Sequence, residues 1–275
     1  MKSVRALAAQ LDDLVRETVG LSLPPVDEAL AQAGPAALAL GEYCRRCGDS
    51  VGEGEAIAGG CATCRELPAL ADRVVRLGTY DGPLRELILA IKFQKWWEMG
   101  RTLGRMLGDR VSADAQLELR NVIVVPVPMP WQRRMFRGID HARVIGSGVA
   151  ASLEAPLRPV LAKSNGAPQL ALTPSLREKL GGRGLKIRRS LGGWEVAGRD
   201  VVLVDDVRTT GATIRRAVRL LRKLRPRSVT AAVLAVADHR SRRARADQVR
   251  AELEAVEGKL AAEEEESSPA CECNE

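Results

Sequence analysis

Residues 201–213 read VVLVDDVRTTGAT: four aliphatics, an acidic pair, and a small hydroxylated turn ahead of an amphipathic run. Val201 to Val204 predict a strand buried on both faces, as in a parallel sheet. Asp205 and Asp206 stand at its carboxyl end, where open α/β sheets gather their ligands. Ile214 to Leu224 then carries a helical period. The turn between them leads into a helix amino end, whose N–H groups and dipole attract a phosphate. Thr209, Thr210 and Thr213 add hydroxyls there, and Gly211 lets the backbone come close. A carboxylate pair can accept from a vicinal diol, one oxygen per hydroxyl. Together these features point to a sugar phosphate rather than a free anion. The turn lacks the Gly-Lys-Ser/Thr of a Walker loop and is not a GxGxxG. The plainer alternative is a buried strand followed by an ordinary polar turn.

The surrounding chain suits such a sheet. It has 275 residues, 45% hydrophobic and 28% charged, enough for one large domain with appendages. Aromatics are only 3%, so the core must be built from Leu, Val, Ile and Ala. No apolar run approaches the ~20 residues that cross a bilayer. The amino terminus, MKSVRALAAQLDDLVRETVG, reaches an acidic residue by Asp12 and has no continuous apolar stretch, unlike a signal peptide. Leu7, Leu11 and Leu14 fall instead on one helical face. The expected setting is cytoplasmic, with no membrane insertion. A formal net charge of +7 fits a polyphosphate ligand, nucleic acid or anionic lipid, and does not by itself choose among them.

Composition shifts divide the chain into four expected parts: a helical, Ala-rich segment over 1–40, a cysteine module over 41–70, an α/β domain over 71–238, and a charged helix and disordered tail over 239–275. Proline and glycine break the first part at Pro24-Pro25 and Gly34-Pro35. In the α/β domain, strands are expected at Val74–Tyr80, Asn121–Val127, Val160–Lys163 and Ser228–Ala237, besides the opening one. Helices are expected at Pro83–Phe93, Glu98–Val111 and Asp140–Leu153, and a Gly-rich basic stretch runs to about Gly193. The alternation argues for a parallel sheet flanked by helices. Val249, Leu253, Val256 and Leu260 form a short apolar seam, leaving a monomer and a seam-paired homodimer both open.

The cysteine module holds Cys44-x₂-Cys47 and Cys61-x₂-Cys64. Two such knuckles supply four thiolates to one tetrahedral zinc, a closed structural site without an open coordination position. Disulfides do not suit a cytosolic chain, and a redox CxxC needs no second copy. Cys271 and Cys273 lie apart on the acidic tail and offer only two ligands.

The opening stretch resembles the thirteen-residue signature of type I phosphoribosyltransferases, which bind 5-phosphoribosyl 1-diphosphate (PRPP) with magnesium. That resemblance implies that Asp205 and Asp206 hold the ribose 2′- and 3′-hydroxyls, and that Arg208, Thr209, Thr210, Gly211, Ala212 and Thr213 wrap the 5′-phosphate. A zinc ribbon followed by such a domain resembles the ComF family, associated with bacterial DNA uptake and competence. The likeness runs from about Tyr43 to Ala237. YDGPLRELILAIKF (Tyr80–Phe93) resembles the start of that family's catalytic domain, and VVPVPMPWQRRMFRG (Val124–Gly138) the segment after its second core strand. It implies that the turn from Pro126 through Val127 and Pro128 to Pro130 lies at the pyrophosphate, with Arg133, Arg134 and Arg137 facing its charge. Arginine forks suit phosphate oxygens, although three arginines so close can also coat a helix end. Gln169, Leu172, Thr173 and Arg177 match the order of the family's flexible loop, which closes over the reacting centre. Asp140-His141 replaces the usual Asn-Gln, Ile139 an aromatic, and Leu180 the loop's Asn, while Lys163 stands near a place where arginines are common.

Three functions follow as expectations. One is transfer of the phosphoribosyl group to an amine or base nitrogen. A second is a sensing module that binds PRPP and acts through DNA-uptake proteins or single-stranded DNA. A third uses the ribbon and HRSRRAR (His239–Arg245) on nucleic acid, against which stand the scarcity of stacking aromatics and the ordinary reading of that cluster as a solvated helix end.

Overall fold

The aliphatic run at 201–204 lies inside a nine-residue strand at the centre of a parallel sheet. The computed structural model describes residues 23–34, 41–52, 60–66, 69–114, 117–129, 140–163, 184–188 and 195–238. In chain order its helices are α1 (Val26–Ala33), α2 (Ala62–Glu66), α3 (Gly82–Phe93), α4 (Trp97–Asp114), α5 (His141–Ser152) and α6 (Ala212–Arg222). Its strands are β1 (Arg73–Thr79), β2 (Val122–Pro126), β3 (Leu161–Lys163), β4 (Leu185–Ile187), β5 (Asp200–Arg208) and β6 (Ser228–Val236). Four strands pair in the order β1-β6-β5-β2, every pair parallel. β3 and β4 form a separate antiparallel pair.

Alternation along β5 assigns the two faces of the sheet. Val201 and Leu203 turn to one core with Ile214, Ala217, Val218 and Leu221 of α6 and with Cys44, Cys47 and Cys64. Val202 and Val204 turn to the other, with apolar residues of α3, α4 and α5. Burial on both faces is why the run reads as continuous aliphatics rather than as an alternating pattern. The cysteine module is therefore a cover for one face of the sheet.

α4 and α5 cross at glycines. A Cβ on Gly104 would overlap the Ile145 carbonyl oxygen, and one on Gly148 would overlap that of Arg101. Only hydrogen at these positions lets the backbones approach so closely.

Two elements depart from the sequence expectation. β5 does not stop at the acidic pair but runs on through Arg208, because β6 continues beside it and pairs Arg208 with Val236. β4 arises inside the Gly-rich basic stretch, from only three residues, too few to show a period. The proline and glycine breaks near the amino terminus do bound a helix: α1 follows Pro25 and ends at Gly34, whose φ is 70°. The expected helical face at Leu7–Leu14, the arginines 133, 134 and 137, the loop residues 169–180 and everything after Asp238 lie outside the described residues. Among the described residues no helix is long and apolar enough to cross a membrane.

Candidate functional site

A cleft of about 380 Å³ opens at the carboxyl ends of β2 and β5. Asp205, Asp206, Thr209 and Thr213 line it from the opening sequence, Val127 and Pro128 from the turn after β2, and Lys163 from the end of β3. Tyr80, Lys92, His141 and Met129 complete much of its wall. Residues read separately from sequence thus converge on one cavity. Pro126 closes β2, and the Val127 N–H donates to the Val204 carbonyl at 2.8 Å, which ties the proline turn to the central strand.

The acidic pair has an internal counter-ion. Lys92 Nζ lies 3.1 Å from Asp206 Oδ2, with both side chains largely buried. The Asp206 N–H donates to Asp205 Oδ1 at 2.9 Å, and the Val207 N–H to Asp206 Oδ1 at 2.6 Å. Burial, reinforced by the Asp206 charge, pushes the Asp205 carboxyl up to about 8 despite the Asp206 N–H, Lys92 and Lys163. Burial thus favours the neutral form of Asp205.

The turn after β5 reaches α6 through Gly211, which takes a left-handed conformation at φ 73° as the helix N-cap. Arg215 N–H donates to the Gly211 carbonyl at 2.8 Å and its guanidinium to the Thr210 carbonyl at 2.7 Å, so the first helical turn braces the loop. Thr209, Thr210, Ala212 and Thr213 are exposed at this helix end, where N–H groups lack carbonyl partners within the helix. Arg208 behaves differently from its neighbours. Its side chain is 5% exposed, pairs with Asp49 of the cysteine module, and donates to the Thr209 carbonyl at 3.1 Å, and it does not line the cleft.

Cys44, Cys47, Cys61 and Cys64 come together with all four sulfurs within 4.8 Å of one another. Cys44–Cys64 and Cys47–Cys61 are both 3.8 Å apart. Four thiolates at ~2.3 Å from one centre make a tetrahedron with edges of about 3.8 Å. Backbone N–H groups of Asp49 and Cys61 point at Cys47 Sγ and Cys44 Sγ, at 3.4 and 3.3 Å, the outer support that thiolates need. The donor set and its geometry fit structural zinc.

Comparison with known proteins gives the family. Residues 139–261 match the phosphoribosyl transferase domain family. Competence protein F of Haemophilus influenzae is 32% identical over 188 residues, spanning 66% of this chain and 79% of that protein. The chain belongs to the ComF family. DNA utilization protein YhgH of Escherichia coli strain K12 is 32% identical over 171 residues, 58% of this ComF-family chain and 70% of that one. A solved structure described as the allosteric regulatory enzyme of purine biosynthesis aligns at 24% identity and a TM-score of 0.33, over 49% of this chain and 25% of that one.

In this ComF-family chain the cleft and the core behind it also contain groups that sequence reading had not assigned. Lys92 follows Leu84 and Ile88 at four-residue steps, so the helical period places it on the buried face of α3. A lysine on an apolar stripe was the available signal. Tyr80 stacks under the Lys92 ammonium, 5.6 Å from the ring centroid. Arg76, 1% exposed in the middle of β1, was marked by its place within an aliphatic strand. Asp49 carried no signal, because its partner Arg208 is far away in sequence.

Proposed function

We infer that this chain binds PRPP with magnesium in the cleft and transfers its phosphoribosyl group to an amine or base nitrogen, in a cell's handling of incoming DNA. The observation that carries the reading is the shared cleft: a carboxylate pair and a threonine-lined helix end from one stretch, and a proline turn from another, line one cavity. In this reading Asp205 and Asp206 accept from the ribose hydroxyls, and the 209–213 turn receives the 5′-phosphate on N–H and hydroxyl groups. Asp205 and Asp206 would help hold magnesium at the ribose, directly or through waters, and the bound ion would supply charge neutralisation for the leaving diphosphate. The acceptor nitrogen bonds to C1, the C1–O bond breaks, and its electron pair departs on pyrophosphate. Lys163 lines the cleft as a cation for that leaving group, with Arg133 and Arg137 proposed to join it. The names of the two relatives, competence protein F and DNA utilization protein, support the cellular setting.

A second reading keeps binding but drops turnover. It is favoured by His141, which lines the cleft where the family pattern carries Gln. The two are separated by incubating the protein with PRPP, magnesium and panels of amines and nucleobases, and reading pyrophosphate. Release that disappears in Asp205→Asn/Asp206→Asn supports transfer. Binding without release from any acceptor supports a sensor that acts through protein or single-stranded DNA partners.

A further inference from the structure

The four-cysteine centre and the turn after β5 meet through one residue. Asp49 lies two positions beyond Cys47 and belongs to the knuckle: its carbonyl accepts the Cys44 N–H at 2.9 Å and its own N–H points at Cys47 Sγ at 3.4 Å. Its carboxylate pairs with Arg208, and the other carboxylate oxygen lies 3.3 Å from Cys47 Sγ. Arg208 then donates to the carbonyl of Thr209, the first residue of the turn. With Cys47 as a thiolate the first link is the Asp49 N–H on its Sγ, and the path from metal ligand to turn runs Cys47, Asp49, Arg208, Thr209.

A second, apolar link runs in parallel. Leu70, just after the cysteine module, packs so closely on Gly211 that a Cβ there would lie 2.8 Å from Leu70 Cδ2. The knuckle is itself seated on the strand ends. Gly48, at φ 84°, leaves room for Val74 and Val236 at 2.9 and 3.1 Å from where its Cβ would be. The Ser50 N–H donates to the Asp238 carboxylate at 3.1 Å, and Arg76 donates to Ser50 Oγ at 2.9 Å. Arg76, Arg208, Asp49 and Asp238 thus place two cations and two anions at one interface, three of the four at least 95% buried. Removing one partner of such a buried set leaves an uncompensated charge, so Asp49 and Arg208 hold each other in place. A turn that binds anions through its own N–H groups works only in one backbone conformation, and fixing that conformation in advance raises affinity.

We propose that Asp49 is a positioning residue for the sugar-phosphate turn: through Arg208 it holds Thr209 to Gly211 in the receiving conformation, so that metal at the four cysteines and anion at the turn stabilise each other. The coupling is reciprocal, as linkage requires. What binds at the turn rests on the function inferred above, whereas the brace itself does not.

Hydrogen exchange of the full-length zinc-loaded protein tests it, comparing wild type with Asp49→Asn. The proposal expects exchange at Thr209–Thr213 at least about tenfold faster, with zinc still one per chain and Val201–Val204 of β5 unchanged. Calorimetry with ribose 5-phosphate should show affinity at least tenfold weaker in the variant, and the same ligand should slow zinc transfer to a chelator in wild type. Arg208→Gln removes the bridge from the other side and gives the same pattern, which covers the case in which Asp49→Asn does not fold. Unchanged exchange at Thr209–Thr213 in a folded variant overturns the proposal. If wild type binds neither ribose 5-phosphate nor PRPP with magnesium, the inferred function fails, and the exchange comparison still decides the brace.

Discussion

At the scale of residues, two adjacent carboxylates share one cleft with the ammonium groups of Lys92 and Lys163. Lys92 serves Asp206, which leaves Asp205, raised by burial and by the Asp206 charge to about 8, carrying a proton that the unfolded chain releases near pH 4. The folded state binds more protons than the unfolded one between those values, so this group's contribution to stability is complete below pH 4 and is lost as pH rises to about 8. Asp205→Asn should therefore melt several degrees above wild type at pH 8 and match it at pH 4. A scan of melting temperature against pH checks this, and equal melting at both ends refutes it. Diol binding favours the ionised pair, so ribose 5-phosphate affinity should climb by up to about tenfold per pH unit toward pH 8 and level off above it. Lys92→Met removes the neighbouring cation and should move that profile to higher pH. The carboxylates and threonines were legible because a strand, an acid pair and a turn coincide in register. Lys92 was legible only through helical period, and Asp49 not at all, since no local pattern joins residue 49 to residue 208.

At the scale of elements, aliphatic runs revealed β2, β5 and β6, because burial on both faces leaves no alternation to misread. β4 stayed hidden, since its three residues gain strand geometry only by pairing with β3. The extension of β5 to Arg208 depends likewise on β6, a partner that the local sequence does not name. Helical glycines are the opposite case. In isolation Gly104 and Gly148 weaken their helices by about 1 kcal/mol each relative to Ala. In the fold they let α4 and α5 touch backbone to backbone, with Arg105 N only 2.8 Å from where a Gly148 Cβ would sit. Gly148→Ala should therefore cost about 2–4 kcal/mol in urea denaturation, against the gain that helix propensity alone would give. A neutral or stabilising result would mean that the two helices separate without penalty.

At the scale of the whole molecule, the cysteine module is one wall of the core and also the support of the candidate site. Cys44, Cys47 and Cys64 share a cluster with α6 and β5, so metal loss exposes the sheet face that these residues cover. Without a cation, burial pushes Cys64 up to about 12, while burial of Cys44 is outweighed by N–H donors that bring it to about 7. Zinc removal should lower the melting temperature on the order of 10 °C, read by calorimetry before and after chelation. An unchanged melt would make the module an independent appendage, as the division of the sequence at residue 70 first suggested. That the cleft is a PRPP site is tested most directly by calorimetric titration of PRPP with and without magnesium, in wild type and in Asp205→Asn/Asp206→Asn. Magnesium-dependent binding that the double variant weakens at least about a hundredfold is the predicted result. No binding by the folded, zinc-loaded wild-type protein, or equal binding by the variant, would contradict it.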